Sequence, residues 1–170
     1  MKRFLHPICG VVVFAALVGL TLAANPRGTA ELTLNGKKIS VEYGRPSLGG
    51  RTVEQLLADL PASGWRLGAD KSTTFSTTGD LMFGSVKVPK GDYSLWAQKQ
   101  ADGSWKLVFN KQHGQWGTNH DATQDFASVP LKTEKESKPA EQVTITLEEE
   151  HGSGEISIQW GALELSTTFK

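Results

Sequence analysis

Ala30-Glu31-Leu32-Thr33-Leu34-Asn35-Gly36-Lys37-Lys38-Ile39-Ser40-Val41-Glu42-Tyr43 sets the period of this chain. Leu32 and Leu34 alternate with polar neighbours, and Ile39, Val41 and Tyr43 alternate with Ser40 and Glu42. Successive side chains of a strand face opposite sides of a sheet, so each run reads as a strand buried on one face. Asn35-Gly36 between them is a strong two-residue hairpin signal, because both residues accept positive φ.

The same period recurs outward from that hairpin. Val86 and Val88 flank Lys87, and Tyr93, Leu95 and Ala97 share one face. After an Asp102-Gly103 turn, Trp105, Leu107 and Phe109 return. Val143, Ile145 and Leu147 alternate with threonines, Ile156, Ile158 and Trp160 do the same, and Leu163, Leu165 and Phe169 close the chain. About eight to ten short strands with Gly and Asn/Asp turns predict a mostly β, antiparallel sandwich or barrel-like domain. One short helix interrupts it. Thr52 is its cap with Gln55 at the capping-box position, Leu56, Leu57 and Leu60 form its apolar side, and Pro61 and Gly64 end it. Its expected role is to plug one end. Leu131 to Glu141, charged and non-periodic, reads as an exposed loop. With no internal repeat or linker, residues 25–170 read as one domain.

Residues 1–24 read as a signal peptide. Lys2 and Arg3 precede an uncharged apolar run from Ile8 to Leu22 that ends in Thr21-Leu22-Ala23-Ala24, so cleavage is expected after Ala23 or Ala24. Cys9 lies before most of that run, which does not fit a lipid-anchored cysteine. The expectation is a periplasmic or secreted protein with no stable membrane anchor after cleavage. Removing residues 1–24 leaves 18 − 2 = 16 Lys+Arg against 18 Asp+Glu, a net charge of −2. No basic excess points to nucleic acid. Cys9 is the only cysteine, so the mature chain forms no disulfide and is held by its core.

Three of the four arginines beyond the N-terminal segment, Arg45, Arg51 and Arg66, fall between Tyr43 and Thr74. Arginine offers five donors in a planar fork, so such a cluster indicates either a structural ion pair or an anion contact. Strand parity from Ile39, Val41 and Tyr43 turns Arg45 inward, and Pro46 holds its backbone extended. A cation facing inward needs a partner, and Asp70 and Asp125 are the expected carboxylates. The structural reading has Arg45 pinning the Tyr43–Arg51 loop against Trp65-Arg66. The functional reading has Arg45, Arg51 and Arg66 forming an anion pocket.

Tyr43-Gly44-Arg45-Pro46-Ser47, Gly50-Arg51, Trp65-Arg66-Leu67-Gly68-Ala69, Gly91-Asp92-Tyr93-Ser94-Leu95, Phe109-Asn110-Lys111 and Trp116-Gly117, in that order, resemble an exported bacterial family known as Domain of Unknown Function 2911. The resemblance runs from about Ala30 to Phe169. It implies a β-rich extracytoplasmic domain and no known activity. Asp70 and Lys71 stand where the family commonly has Asn and Glu, which reverses a charge beside Arg66.

Five tryptophans, at 65, 96, 105, 116 and 160, raise sugar binding, since exposed aromatic rings make flat platforms for sugars. Trp105 and Trp160 are in phase with core positions. Trp96 is out of phase with Tyr93 and is expected on the opposite face. Trp116, between Gly114 and Gly117, is the candidate loop aromatic. His113, His120 and Asp121 share a loop but match no metal-ligand spacing, so no metal or other cofactor is expected. No histidine lies near Ser47 in sequence, and no nucleophile-elbow motif is present. The reading is a non-enzymatic binding or interaction module with a small anionic or carbohydrate ligand. The alternative is a hydrolase of cell-envelope or extracellular substrates.

Overall fold

A computed structural model describes residues 24–170, so the leader reading, apart from Ala24, falls outside the described residues. The Asn35-Gly36 turn forms as expected, with φ of 50° and 78°, and joins β1 (Arg27–Leu34) to β2 (Lys37–Gly44) in register from Leu34↔Lys37 to Arg27↔Gly44. The helix α1 follows (Val53–Leu56). Then come β3 (Thr74–Thr77), β4 (Leu81–Phe83), β5 (Val86–Val88), β6 (Gly91–Lys99), β7 (Trp105–Asn110), β8 (Asp125–Glu150) and β9 (Ser153–Phe169). Seven strands make one antiparallel sheet in the order β1-β2-β3-β6-β7-β8-β9, and β4 pairs with β5 separately.

The large sheet curls until it nearly closes, so of the two architectures expected the barrel-like one is found. Beyond β2 the chain meets β8. Val143 N–H donates to Pro46 O (3.1 Å), Leu48 N–H donates to Glu141 O (2.8 Å), and Ser47 bridges Gln142. The interior holds the in-phase residues of every strand, among them Val41, Phe75, Leu95, Leu107, Val129, Ile145 and Ile158. Phe83, Phe109 and Phe169 fill the β4–β5 end, and Met82 pairs its backbone with Lys170 there. Trp65, Trp105 and Trp160 fill the α1 end. Trp65 stacks on Trp160 at 5.6 Å and meets Trp105 edge-on at 6.5 Å.

Two expectations are corrected. Leu131–Glu141 is not a loop but the middle of β8. Lys132–Lys135 pair with Ser166–Leu163, then five steps on β8, from Lys135 to Ala140, oppose two on β9, from Leu163 to Gly161. Both faces are wet over most of this stretch, so the ladder is backbone pairing without the apolar alternation that would reveal it. The helix is one turn, not a run to Leu60. Its capping box is present: Gln55 N–H donates to Thr52 Oγ1 (3.2 Å), and Thr52 N–H to Gln55 Oε1 (2.9 Å). Pro61 disfavours helical backbone at Leu60, and so short a helix relies on packing. Val53 supplies it, buried at the Trp end, with Leu56, Leu57 and Leu60 half-buried around it.

Candidate functional site

The three arginines have separate hydrogen-bond partners. Arg45 is half-buried and donates through Nε to Val143 O (3.2 Å) and through Nη2 to Thr144 Oγ1 (3.5 Å). Arg51 is exposed and donates to Leu48 O (3.2 Å). Arg66 donates through Nε to Gly68 O (3.2 Å). Among the described residues no ion pair includes any of them. The expected carboxylates are engaged elsewhere. Asp70 Oδ2 accepts from Asn25 N–H (2.9 Å), and Asp125 Oδ1 lies 2.9 Å from His120 Nε2. Strand parity predicted that Arg45 faces inward; it is half-buried against β8, where one carbonyl and one hydroxyl accept from it in place of the expected carboxylate.

The Trp65–Ser72 segment runs beside β6, with Trp65 and Ala97 exchanging both backbone bonds at 2.8 Å. It then winds sharply. Leu67 and Asp70 both have left-handed backbone, at φ 55° and 63°, a conformation that Leu in particular rarely adopts. The winding brings Asp70-Lys71-Ser72 against Gln115-Trp116-Gly117. Gly117 N–H donates to Asp70 O (2.7 Å), Ser72 N–H to Gln115 O (2.9 Å), Gly114 N–H to Ser72 Oγ (3.1 Å), and Lys71 bridges Trp116. A Cβ at Gly117 would lie 2.9 Å from Arg66 Cδ and 2.7 Å from Asp70 O, so only glycine lets Arg66 lie across this point. One corner thus gathers Arg66, Asp70, Lys71 and Trp116. Trp116 is 54% exposed although its loop is pinned at several backbone positions.

The same loop has a buried underside that the sequence did not reveal. Ser94, Asn110 and Asp125 are directly paired across β6, β7 and β8, facing away from the barrel interior. Such positions are normally wet, yet Ser94 and Asn110 are fully buried, because residues 111–124 fold over them. Asn110 fastens the loop: its Nδ2 donates to Asp121 O (2.8 Å) and Asp125 Oδ1 (2.7 Å), and its Oδ1 accepts from Gln112 N–H (2.8 Å). Trp96 lies on the opposite face from Tyr93, as expected, and is buried there, donating to Ser94 Oγ (3.1 Å) and packing at 4.6 Å on the His120 ring. Ser94 Oγ accepts from Trp96 and from Gln115 Nε2 (3.4 Å), and His120 bonds to Asp125, so serine and histidine have separate partners rather than a nucleophile–base link. Ser47 is likewise bonded to Gln142 (3.3 Å). His113 and His120 share the loop, with His113 exposed and His120 beneath it; among the described residues no three His, Cys, Asp or Glu gather in a metal-binding arrangement.

A concavity lies between α1 with its following turn and the β6–β7 hairpin. It encloses about 610 Å³ and presents Val53, Leu57, Leu60, Trp105 and Leu163, with Glu54 and Lys99 as its ionisable lining. Hydrogen bonding to the helix-start backbone and Thr52 holds the Glu54 carboxyl below its ordinary value.

No curated protein and no solved structure matches the chain. A family model matches residues 25–169, nearly all of the described chain, and the protein therefore belongs to the family described as "Protein of unknown function (DUF2911)".

Proposed function

We propose that this chain is an exported, non-enzymatic binding module, periplasmic or secreted after removal of its first 24 residues, whose ligand surface is the Arg66–Lys71–Trp116 corner. The observation that carries the reading is Trp116: its indole is out in water while its backbone is bridged to Lys71. A ring pre-placed on a rigid loop offers contact area at little ordering cost. Its flat face suits the C–H face of a pyranose ring, and Lys71 and Arg66 beside it suit carboxylates, so the ligand class is an acidic saccharide. Asp70 does not cancel both cations and is already bonded to Asn25.

A hydrolase has less support. The cleft has one carboxylate, Glu54, where glycoside hydrolysis ordinarily uses a pair. A second binding reading rests on that cleft, whose size and mostly apolar lining fit a small apolar ligand.

Calorimetric titration of the mature chain with trigalacturonate and with neutral cellotriose tests the proposal. Saturable binding of the uronate is expected, weaker for the neutral sugar. Trp116→Ala or Lys71→Ala should reduce it about tenfold or more, equivalent to about 1.4 kcal/mol. No saturable heat with either sugar contradicts the reading. Binding of anilinonaphthalene sulfonate that Leu57→Glu abolishes, with no sugar bound, supports the cleft instead.

A further inference from the structure

Asp70 is a constrained acceptor that forms no ion pair among the described residues. Its backbone is left-handed, its main-chain oxygen holds Gly117, and its Oδ2 accepts from Asn25 twice, from the backbone nitrogen at 2.9 Å and from Nδ2 at 3.3 Å. The next residue, Pro26, is fixed by Arg45 N–H donating to its carbonyl (2.7 Å). The nitrogen of Asn25 is thus placed at a carboxylate by bonds on both sides of it. It is also the nitrogen of the Ala24–Asn25 peptide, one of the two bonds at which the small-residue sequence Ala23-Ala24 predicts leader cleavage.

We infer that processing occurs between Ala24 and Asn25, and that the α-ammonium group so created is captured by the Asp70 carboxylate. Hydrolysis places the oxygen of water on the Ala24 carbonyl carbon as a carboxylate. Both protons of the water go to the Asn25 nitrogen, which leaves as an ammonium group. An α-amino group is mostly protonated at neutral pH. A neutral amide donor on Asp70 thereby becomes a charged one, and charge-assisted hydrogen bonds are the stronger kind. Maturation fastens the start of the chain to the segment that carries Lys71 and, through Gly117, Trp116. Cleavage one residue earlier would leave this nitrogen an uncharged amide. The inference rests on the export reading but not on saccharide binding.

The test has two parts. N-terminal sequencing of the protein exported from cells should begin at Asn25; a start at Ala24, or an intact Met1, overturns the inference. Separately, chains beginning at Asn25 are prepared with a free and with an acetylated N-terminus, each with Asp70 and with Asp70→Asn. Acetylation should lower the melting temperature by about 1–3 °C with Asp70 present and have no effect with Asp70→Asn, the size of a partly exposed ion pair in a domain of this length. An equal loss in both backgrounds overturns capture while leaving export standing. The Asp70 ¹³Cγ resonance, compared between free and acetylated wild-type chains, is the check that needs no substitution: it should shift, and an unchanged resonance overturns capture.

Discussion

The Tyr43 hydroxyl takes the place of a neighbouring strand at Ile145: it accepts from Ile145 N–H at 3.0 Å and donates to Ile145 O at 3.3 Å. Two residues on, Arg45 Nε donates to Val143 O. Tyr43 of β2 and Arg45 just beyond it thus supply side chains where the barrel lacks a ladder, and Gly28 of β1 lies beneath them. A Cβ at Gly28 would sit 2.8 Å from Arg45 Cδ and 2.9 Å from Tyr43 Cζ. The Tyr-Gly-Arg-Pro motif therefore seals the seam of the barrel, leaving Arg66 as the arginine of the proposed ligand surface.

Tyr43→Phe should destabilise the chain by about 1–3 kcal/mol, because a buried backbone N–H and C=O lose their partner while the ring still packs. The check is urea unfolding, where the midpoint should fall and the slope stay constant. An unchanged midpoint would mean that water replaces the hydroxyl and that the seam is open.

Arg45→Ala should cost about 1–2 kcal/mol, less than the loss of a buried ion pair, since the groups released are a carbonyl and a hydroxyl rather than a stranded carboxylate. Arg45→Lys should recover part of it. Gly28→Ala should destabilise by about 1–3 kcal/mol through the clash with both side chains, read by the same unfolding experiment.

Asp125→Ala should loosen the 111–124 loop. It removes an acceptor from Asn110 and from His120, whose side chain is 7% exposed, and should cost about 2 kcal/mol or more. Trp96 fluorescence is the reporter, because its ring lies against His120. Loss of stability without any change in that signal would contradict the assignment of Asp125 to the loop clasp.

On β8 and β9, Glu134 faces Glu164 and Glu148 faces Glu155 directly across the ladder, an arrangement that costs stability. The Glu164 charge, above all, raises the Glu136 carboxyl above the usual carboxylate range. A raised acid means that the folded chain holds more protons than the unfolded chain through the carboxylate range, so this contribution favours folding as pH falls and opposes it above that range. Glu164→Gln should therefore raise the melting temperature at pH 7, with a smaller gain at pH 4 and in 1 M salt. A gain that ignores both pH and salt would point to packing instead.

Strands whose two faces differ were legible. The Leu32–Tyr43 hairpin, the Tyr93–Ala97 and Trp105–Phe109 pair and the Ile156–Trp160 run lie where period two put them. The middle of β8 was not, because wet residues on both faces erase the period. Nor was the buried outer row of Ser94, Trp96 and Asn110, which depends on a loop distant in sequence folding back over the sheet. At the candidate site, Arg66, Asp70 and Trp116 were each singled out from the sequence, but not their proximity. That depends on the left-handed turns at Leu67 and Asp70, the first of which a leucine does not announce. The partners of Arg45 were misread because a backbone carbonyl leaves no mark in the sequence.

Residue-resolved nuclear magnetic resonance of the mature ¹⁵N-labelled chain during titration with trigalacturonate tests the central claim most directly. The account predicts saturable shifts confined to the Trp116 indole N–H and the Lys71, Gln115 and Gly117 amides, with Leu57, Ala101 and Trp105 at the cleft unmoved. Shifts centred on the cleft, or none anywhere, would contradict it.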